Sequence, residues 1–393
     1  MKQISTLLFI ISFSILCIQN TEAQVTPVQN GDIFTLSVGD VELAVDASFG
    51  ARITSFKLGD KETLIQGRDM TGSTLWTSPQ SEWNWPTLPT TDLNAYTGSI
   101  EGNKMTFMSG EETGIKSKKF KFIKTIWANE IDSSISINYA MVNTGTSSLK
   151  NALWSVTRVQ PEGLTFWAVG DKKPWGSTLT NHIEELENYY WLEFAKSNGT
   201  GMKFFSDIAG PSWFGHVTGD GHLFLISGKA VASTEFATGE AEMEYWVDGS
   251  VGYVELENQS KYVTLAAGDT LHYNVVWHIR RVPADIAIEA GNTALIDFAK
   301  KVVATEEQTA VHEVQLTSAK VYPNPANQQL TVEINTDKFT SARFNIHDMT
   351  GRILLSKEVS NRTQIDISML RNGAYFYSIV SDQYEQKGKL IKK

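Results

Sequence analysis

Residues 46–60 read Asp46-Ala47-Ser48-Phe49-Gly50-Ala51-Arg52-Ile53-Thr54-Ser55-Phe56-Lys57-Leu58-Gly59-Asp60, an apolar run from Ala51 to Leu58 closed by a Gly-Asp turn. Such a run, bounded by turn residues and too short for a helix, is a strand. The same pattern extends outward. Upstream lie Ile33 to Val38 and Val41 to Val45; downstream come Phe120 to Trp127, Ser133 to Val142, Ala152 to Val159, Gly201 to Phe205, His222 to Ser227, Glu240 to Val247, Tyr253 to Leu256 and Leu271 to Ile279. Asn143-Thr144-Gly145 and Gly219-Asp220-Gly221 supply turns between them. One helix is expected, capped near Asn292-Thr293 and carrying Leu295, Phe298, Ala299, Val302 and Val303 at helical spacing. The fold class is therefore all-β, a large sandwich built from residues 24–304.

Charge is unevenly placed along the 393 residues. From residue 320 onward Lys and Arg number 11 against 7 Asp and Glu, a net of +4, which leaves 23 against 37, a net of −14, before it. An acidic block is a poor partner for nucleic acid or anionic lipid, whose binding needs Lys and Arg against phosphate. Neutral substrates fit it better. The single cysteine, Cys17, lies in an N-terminal segment that begins with Lys2, continues through the apolar run Leu7 to Ile18 and ends at Thr21-Glu22-Ala23. That is the layout of a signal peptide, 1–23, with cleavage expected after Ala23. No disulfide or thiolate chemistry is then expected in the mature chain, and no transmembrane segment.

All eleven tryptophans lie between Trp76 and Trp277. They are densest in Trp76-Thr77-Ser78-Pro79-Gln80-Ser81-Glu82-Trp83-Asn84-Trp85-Pro86. In an extended loop Trp83 and Trp85 would point to one side, with Gln80 and Asn84 beside them as hydrogen-bonding groups. A flat indole suits the C–H face of a sugar ring, although core packing is the commoner use of any single tryptophan. Carboxylates cluster twice. Tyr253, Glu255 and Glu257 alternate with Val254 and Leu256, so both glutamates face away from the core, expected as a wet surface about 7 Å apart. Glu240, Glu242 and Glu244 alternate likewise and read as a solvated strand face. No metal site or cofactor is expected, and no phosphate loop, nucleophile elbow or zinc-binding helix is present.

The C-terminal residues 320–393 resemble the type A sorting domain of the type IX secretion system of Gram-negative bacteria. Tyr322-Pro323-Asn324-Pro325, Asp348 to Gly351, Asn372-Gly373 with Tyr375, and the basic end Lys387 to Lys393 carry the resemblance, which implies a small Ig-like β-sandwich, secretion machinery as partner, and delivery to the surface or medium. Residues 305–319 are read as a linker.

Asp46 to Phe56, together with Leu256-Glu257-Asn258-Gln259 and the segments Val263 to Gly268 and Leu271 to Trp277, is similar to the galactose mutarotase-like (aldose 1-epimerase-like) superfamily. That resemblance implies a β-supersandwich with a sugar on its concave sheet face and Glu257 as the base. The family's acid is a histidine. No histidine precedes His182, whose Thr180-Asn181-His182 context matches the family in letters but not in position, and Arg158 stands on the strand expected to line the pocket. Three readings stay open: a secreted carbohydrate-binding protein using Trp83, Trp85, Gln80, Asn84, Arg158 and Glu255; a sugar-active enzyme using Glu257, with His182 as the weaker candidate; and a structural surface protein.

Overall fold

The structure, a computed structural model, describes residues 25–67, 71–83, 85–115, 118–194, 202–208, 210, 212–248, 252–309, 319–334, 342–347, 353–381 and 384–393. The segment expected as a signal peptide, Asp348 to Gly351 and residues 310–318 lie outside them. Two compact units divide between Thr305 and Glu306. No helix among the described residues is long and apolar enough to cross a membrane.

The first unit is two antiparallel sheets packed face to face. Sheet one runs Val28–Asn30, Ile33–Val38, Val41–Asp46, Arg52–Leu58 and then through five strands that carry the site. In chain order these are β1 (Ser73–Ser78), β2 (Leu149–Val159), β3 (Met202–Ser206), β4 (Met243–Asp248) and β5 (Tyr253–Gln259). Their order in space is β1-β2-β5-β4-β3, so β3 is an edge. Sheet two contains ten described strands, from Glu184–Leu186 at one edge to Thr97–Glu101 at the other. Aromatic contacts weld the inner faces. Phe56 of sheet one meets Trp277 of sheet two with ring centroids 5.3 Å apart, and Phe204 of β3 stacks on Trp167 at 5.5 Å. These contacts combine large apolar burial with favourable ring geometry.

Some strands are covered on both sides, which explains why they show no period-two pattern. β1 and Ser212–Thr218 are buried along their whole length. A strand covered on both sides has no polar face to display. Over sheet two the cover is helix Thr293–Thr309. Asn292 caps it through Oδ1, which accepts from Ala294 N–H at 2.9 Å, and Leu295, Ile296, Ala299 and Val302 pack on Phe166, Trp191 and Trp213. The helix continues to Thr309, into the segment expected as linker.

Gly50 sets the turn that the opening stretch of sequence requires. Its φ is +63°, and a Cβ there would sit 2.1 Å from the carbonyl oxygen of Asp92. The buried Lys124 donates to the carbonyls of Gly50 and Ala51, each at 2.8 Å, and burial pulls its pKa down to about 7. Beside it, Arg52 pairs with Asp92 at 3.2 Å, fully buried.

The second unit is a small sandwich of a three-stranded and a four-stranded sheet. Leu330, Val332, Ile334, Phe344, Ile346, Ile379 and Leu390 form its core. Asn324 ties the entry motif to the last strand: its Nδ2 donates to Lys389 O at 2.6 Å and its Oδ1 accepts from Ile391 N–H at 2.9 Å.

Gly50→Ala is expected to destabilise the chain by about 1–3 kcal/mol, the usual cost of a non-glycine residue held at positive φ, with the Asp92 clash added. Urea unfolding measures it. An unchanged midpoint would show that the turn relaxes freely.

Candidate functional site

The outer face of β1 to β5 is set by strand alternation. Opposite residues in an antiparallel pair share a face. The register places Lys203 opposite Trp246, Trp246 opposite Glu255, and Glu255 opposite Arg158, so these four form one row across the sheet. The next row holds Phe205, Glu244, Glu257 and Val156. Trp154 and Trp76 face one another beyond it. Tyr253, Glu255 and Glu257 thus point away from the sandwich core, while Val254 and Leu256 point into it.

That face is not the wet surface the alternation suggested. Glu257 and Glu244 are 0% exposed, Arg158 is fully buried and Glu255 is buried. Buried charges require partners, and each has one. Lys203 Nζ bridges Glu244 Oε2 at 2.5 Å and Glu257 Oε2 at 2.9 Å. Glu257 Oε2 also accepts from the indole N–H of Trp154 at 2.8 Å, and the Lys203 ammonium lies 4.4 Å from the centre of that indole ring. Arg158 Nε meets Glu255 Oε1 at 2.8 Å. Gln259 donates through Nε2 to Glu240 at 2.8 Å and to Glu244.

These contacts sort the protonation states. The two carboxylates raise the Lys203 pKa over the opposing effect of burial, so it holds its proton. Burial drives Glu244 well above the usual carboxylate range, since one ammonium serves two acids. Burial also pushes Glu255 up to about 7, with Arg158 opposing. Glu242, expected to share a face with Glu240 and Glu244, instead accepts from the Ser212 hydroxyl and is pushed up to about 7 by its own burial.

A tryptophan cluster flanks the network. Trp76 meets Trp154 at 5.1 Å, Trp85 at 5.4 Å and Trp83 at 5.9 Å, all edge to face. The loop that supplies two of them is not extended. Residues Gln80–Glu82 form a 3-10 turn, held by an ion pair from Glu82 to Lys118. Trp83 is 6% exposed and donates its indole N–H to Thr77 O at 3.0 Å, so it packs as core, with its ring edge to face against that of Trp85 at 5.9 Å. Trp85 is 57% exposed. Gln80 is half-buried, and Asn84 lies outside the described residues.

His182 ends a short turn, Thr178–His182, and is half-buried; the hydrogen-bonding partners of Glu257 are Trp154 and Lys203. His216 and His222 are engaged separately, by Thr165 with Gln160 and by Asp220. Lys203, Trp246, Phe205 and Trp175 are not singled out by the sequence, and Glu244, expected on a solvated strand face, is fully buried. Trp246, Phe205 and Trp175 are all half-buried, and Trp175 stacks on Phe205 at 5.9 Å. The alternation of β3 and β4 held this signal, but only the register shows that Lys203 and Glu244 converge.

Residues 320–393 match the model of the secretion system C-terminal sorting domain. The second unit is a type IX sorting domain. It directs export to the cell surface or the extracellular space. No curated protein matches the chain. Solved structures similar to it include a putative aldose 1-epimerase from Escherichia coli K12, with 13% identity, 64% of this chain and 99% of that one covered, and a TM-score of 0.46. A galactose mutarotase-like protein from Lactobacillus casei has 12% identity, 63% and 100% coverage and a TM-score of 0.46. A galactose mutarotase related enzyme from Lactobacillus acidophilus has 9% identity, 65% and 99% coverage and a TM-score of 0.48.

Raised carboxyl pKa values make folding take up protons. For Glu242 and Glu255, each moved from an ordinary 4.5 to about 7, the contribution to stability is full below about 4.5 and lost as pH rises through 7. Wild type should therefore lose stability relative to the Glu242→Gln/Glu255→Gln double variant between pH 5 and pH 8. Urea unfolding across that range would show the gap changing; a constant gap would rule out the raised values.

Proposed function

We propose that the exported first unit is a carbohydrate-binding protein whose ligand sits on the outer face of β1 to β5. One observation carries this reading: exposed and half-buried aromatic rings surround a buried charge network. Trp85, Trp246, Phe205 and Trp175 offer flat apolar faces, and Lys203, with its side chain 25% exposed, lies among them. Aromatic faces for sugar C–H groups and fixed polar groups for hydroxyls are what saccharide recognition needs.

Binding is favoured over proton transfer by the state of the charged groups. A general acid works best with a pKa near the operating pH, and Lys203 is moved the other way. Glu257 gives one carboxylate oxygen to Lys203 and Trp154. The always-charged Arg158 is no proton donor either. A sugar-active enzyme is the second reading because Glu257 Oε1 is buried without a hydrogen-bond partner. Anomer interconversion followed by NMR separates the two. Activity in wild type that disappears in Glu257→Gln would establish the enzyme, and none in wild type would leave binding alone.

On a glycan array the full chain should retain a ligand, with affinity falling about tenfold or more in Trp85→Ala and in Trp246→Ala, the scale of a lost aromatic contact. An array without a ligand, or both variants binding as wild type does, would overturn the proposal.

A further inference from the structure

We infer that the ligand of this face is a chain of several sugar residues and not a single sugar: one residue lies on Trp85 at one end of β1 to β5, another on the Trp175–Phe205 pair at the other end, and Lys203 is the polar contact between them. This rests on the carbohydrate-binding reading and names its ligand class.

The spacing of the rings is the reason. Trp76, Trp154, Glu257, Glu244 and Phe205 share one side of the sheet, because opposed residues of paired strands point the same way and Trp154 reaches Glu257. Trp85 packs edge to face on Trp76 of β1 at 5.4 Å. Phe205 belongs to β3, and strand order puts β2, β5 and β4 between the two. Four strand-to-strand steps place β1 and β3 about 19 Å apart. Trp175 carries the sheet one step further: it exchanges backbone hydrogen bonds with Phe205 at 3.0 and 2.8 Å, and the two rings stack at 5.9 Å. The interval is filled by Trp154 and by Lys203, whose ammonium lies 4.4 Å from the centre of the Trp154 ring and 5.6 Å from that of Phe205. No single sugar ring reaches both ends of such a row. A sugar on Trp85 and a sugar on Trp175 are therefore different residues of one chain.

Each contact is open to solvent. Trp85 is 57% exposed, Trp175 and Phe205 are half-buried, and the Lys203 side chain is 25% exposed. Lys203 has two carboxylate partners, which leaves one of its three N–H groups for a sugar hydroxyl. The exposed Lys172 ammonium, 5.6 Å from the centre of the Trp175 ring, supplies a further donor at that end. A single small ligand held tightly is enclosed on most of its surface. Here the rings are laid out along a sheet face instead. One aromatic contact alone is weak, but once one end of a chain is bound the second contact forms within the complex, so the two ends reinforce each other.

The test is calorimetric titration of the full chain with gluco-, manno-, galacto- and xylo-oligosaccharides of one to six residues, and with the same length series of any glycan retained on the array. Affinity should rise at least about tenfold from monosaccharide to hexasaccharide, the scale of an added aromatic contact. Trp85→Ala and Trp175→Ala should each remove that gain, because either leaves only one end. If a variant does not fold, the length series on wild type decides alone. Equal affinity for the monosaccharide and the hexasaccharide of a bound series, or a gain that survives in either variant, overturns this inference and leaves carbohydrate binding standing. Failure of every oligosaccharide here and of the glycan array overturns both.

Discussion

The site depends on one ammonium held between two buried carboxylates. Lys203 reaches Glu244 and Glu257 from the edge strand β3, and its ion pairs and its place over the Trp154 ring lock three strands into one register. Such pairs are expensive to desolvate, and removing one partner strands the other charge. Glu257 therefore cannot be read as an open catalytic base simply because it faces outward. It lies beneath Lys203, which is the part-exposed member of the network.

This arrangement is possible because the sandwich supports it from beneath. Phe204, next to Lys203 on β3, points the other way and stacks on both Trp167 and Tyr245. An edge strand so packed is a firm mount for a functional lysine, in keeping with the rule that precise sites sit on rigid elements. On the opposite side, helix Thr293–Thr309 packs apolar side chains on part of sheet two. The two sheets thus share a core but differ in their outer cover. The sorting unit adds an address and its own small core, separate from the core of the first unit.

Much of this was legible in the residues. Turn chemistry and alternation identified the all-β class, and the spaced motifs from Tyr322 to Lys393 identified the sorting domain, because such motifs are local and need no partner strand. Val254, Leu256 and their alternating neighbours were oriented correctly for the same reason. What misled was the inference from outward-facing to wet. Glu255 and Glu257 point outward and are nonetheless buried, since Trp154, Lys203 and Arg158 come from strands distant in sequence. Trp83 likewise turned inward when residues 80–82 closed into a 3-10 turn.

The sequence by itself determined the strand-and-turn grammar, the acidic balance of the first unit and the address at the C-terminus, all properties of short windows or of composition. Only the tertiary structure decided which charges meet. Lys203 lies 54 residues from Glu257 and on a strand not adjacent to it, and their contact follows from strand order and register. Desolvation then acts on the groups so assembled, raising the carboxyl pKa values of Glu244 and Glu255. Both effects arise from burial among distant segments, which no local pattern encodes.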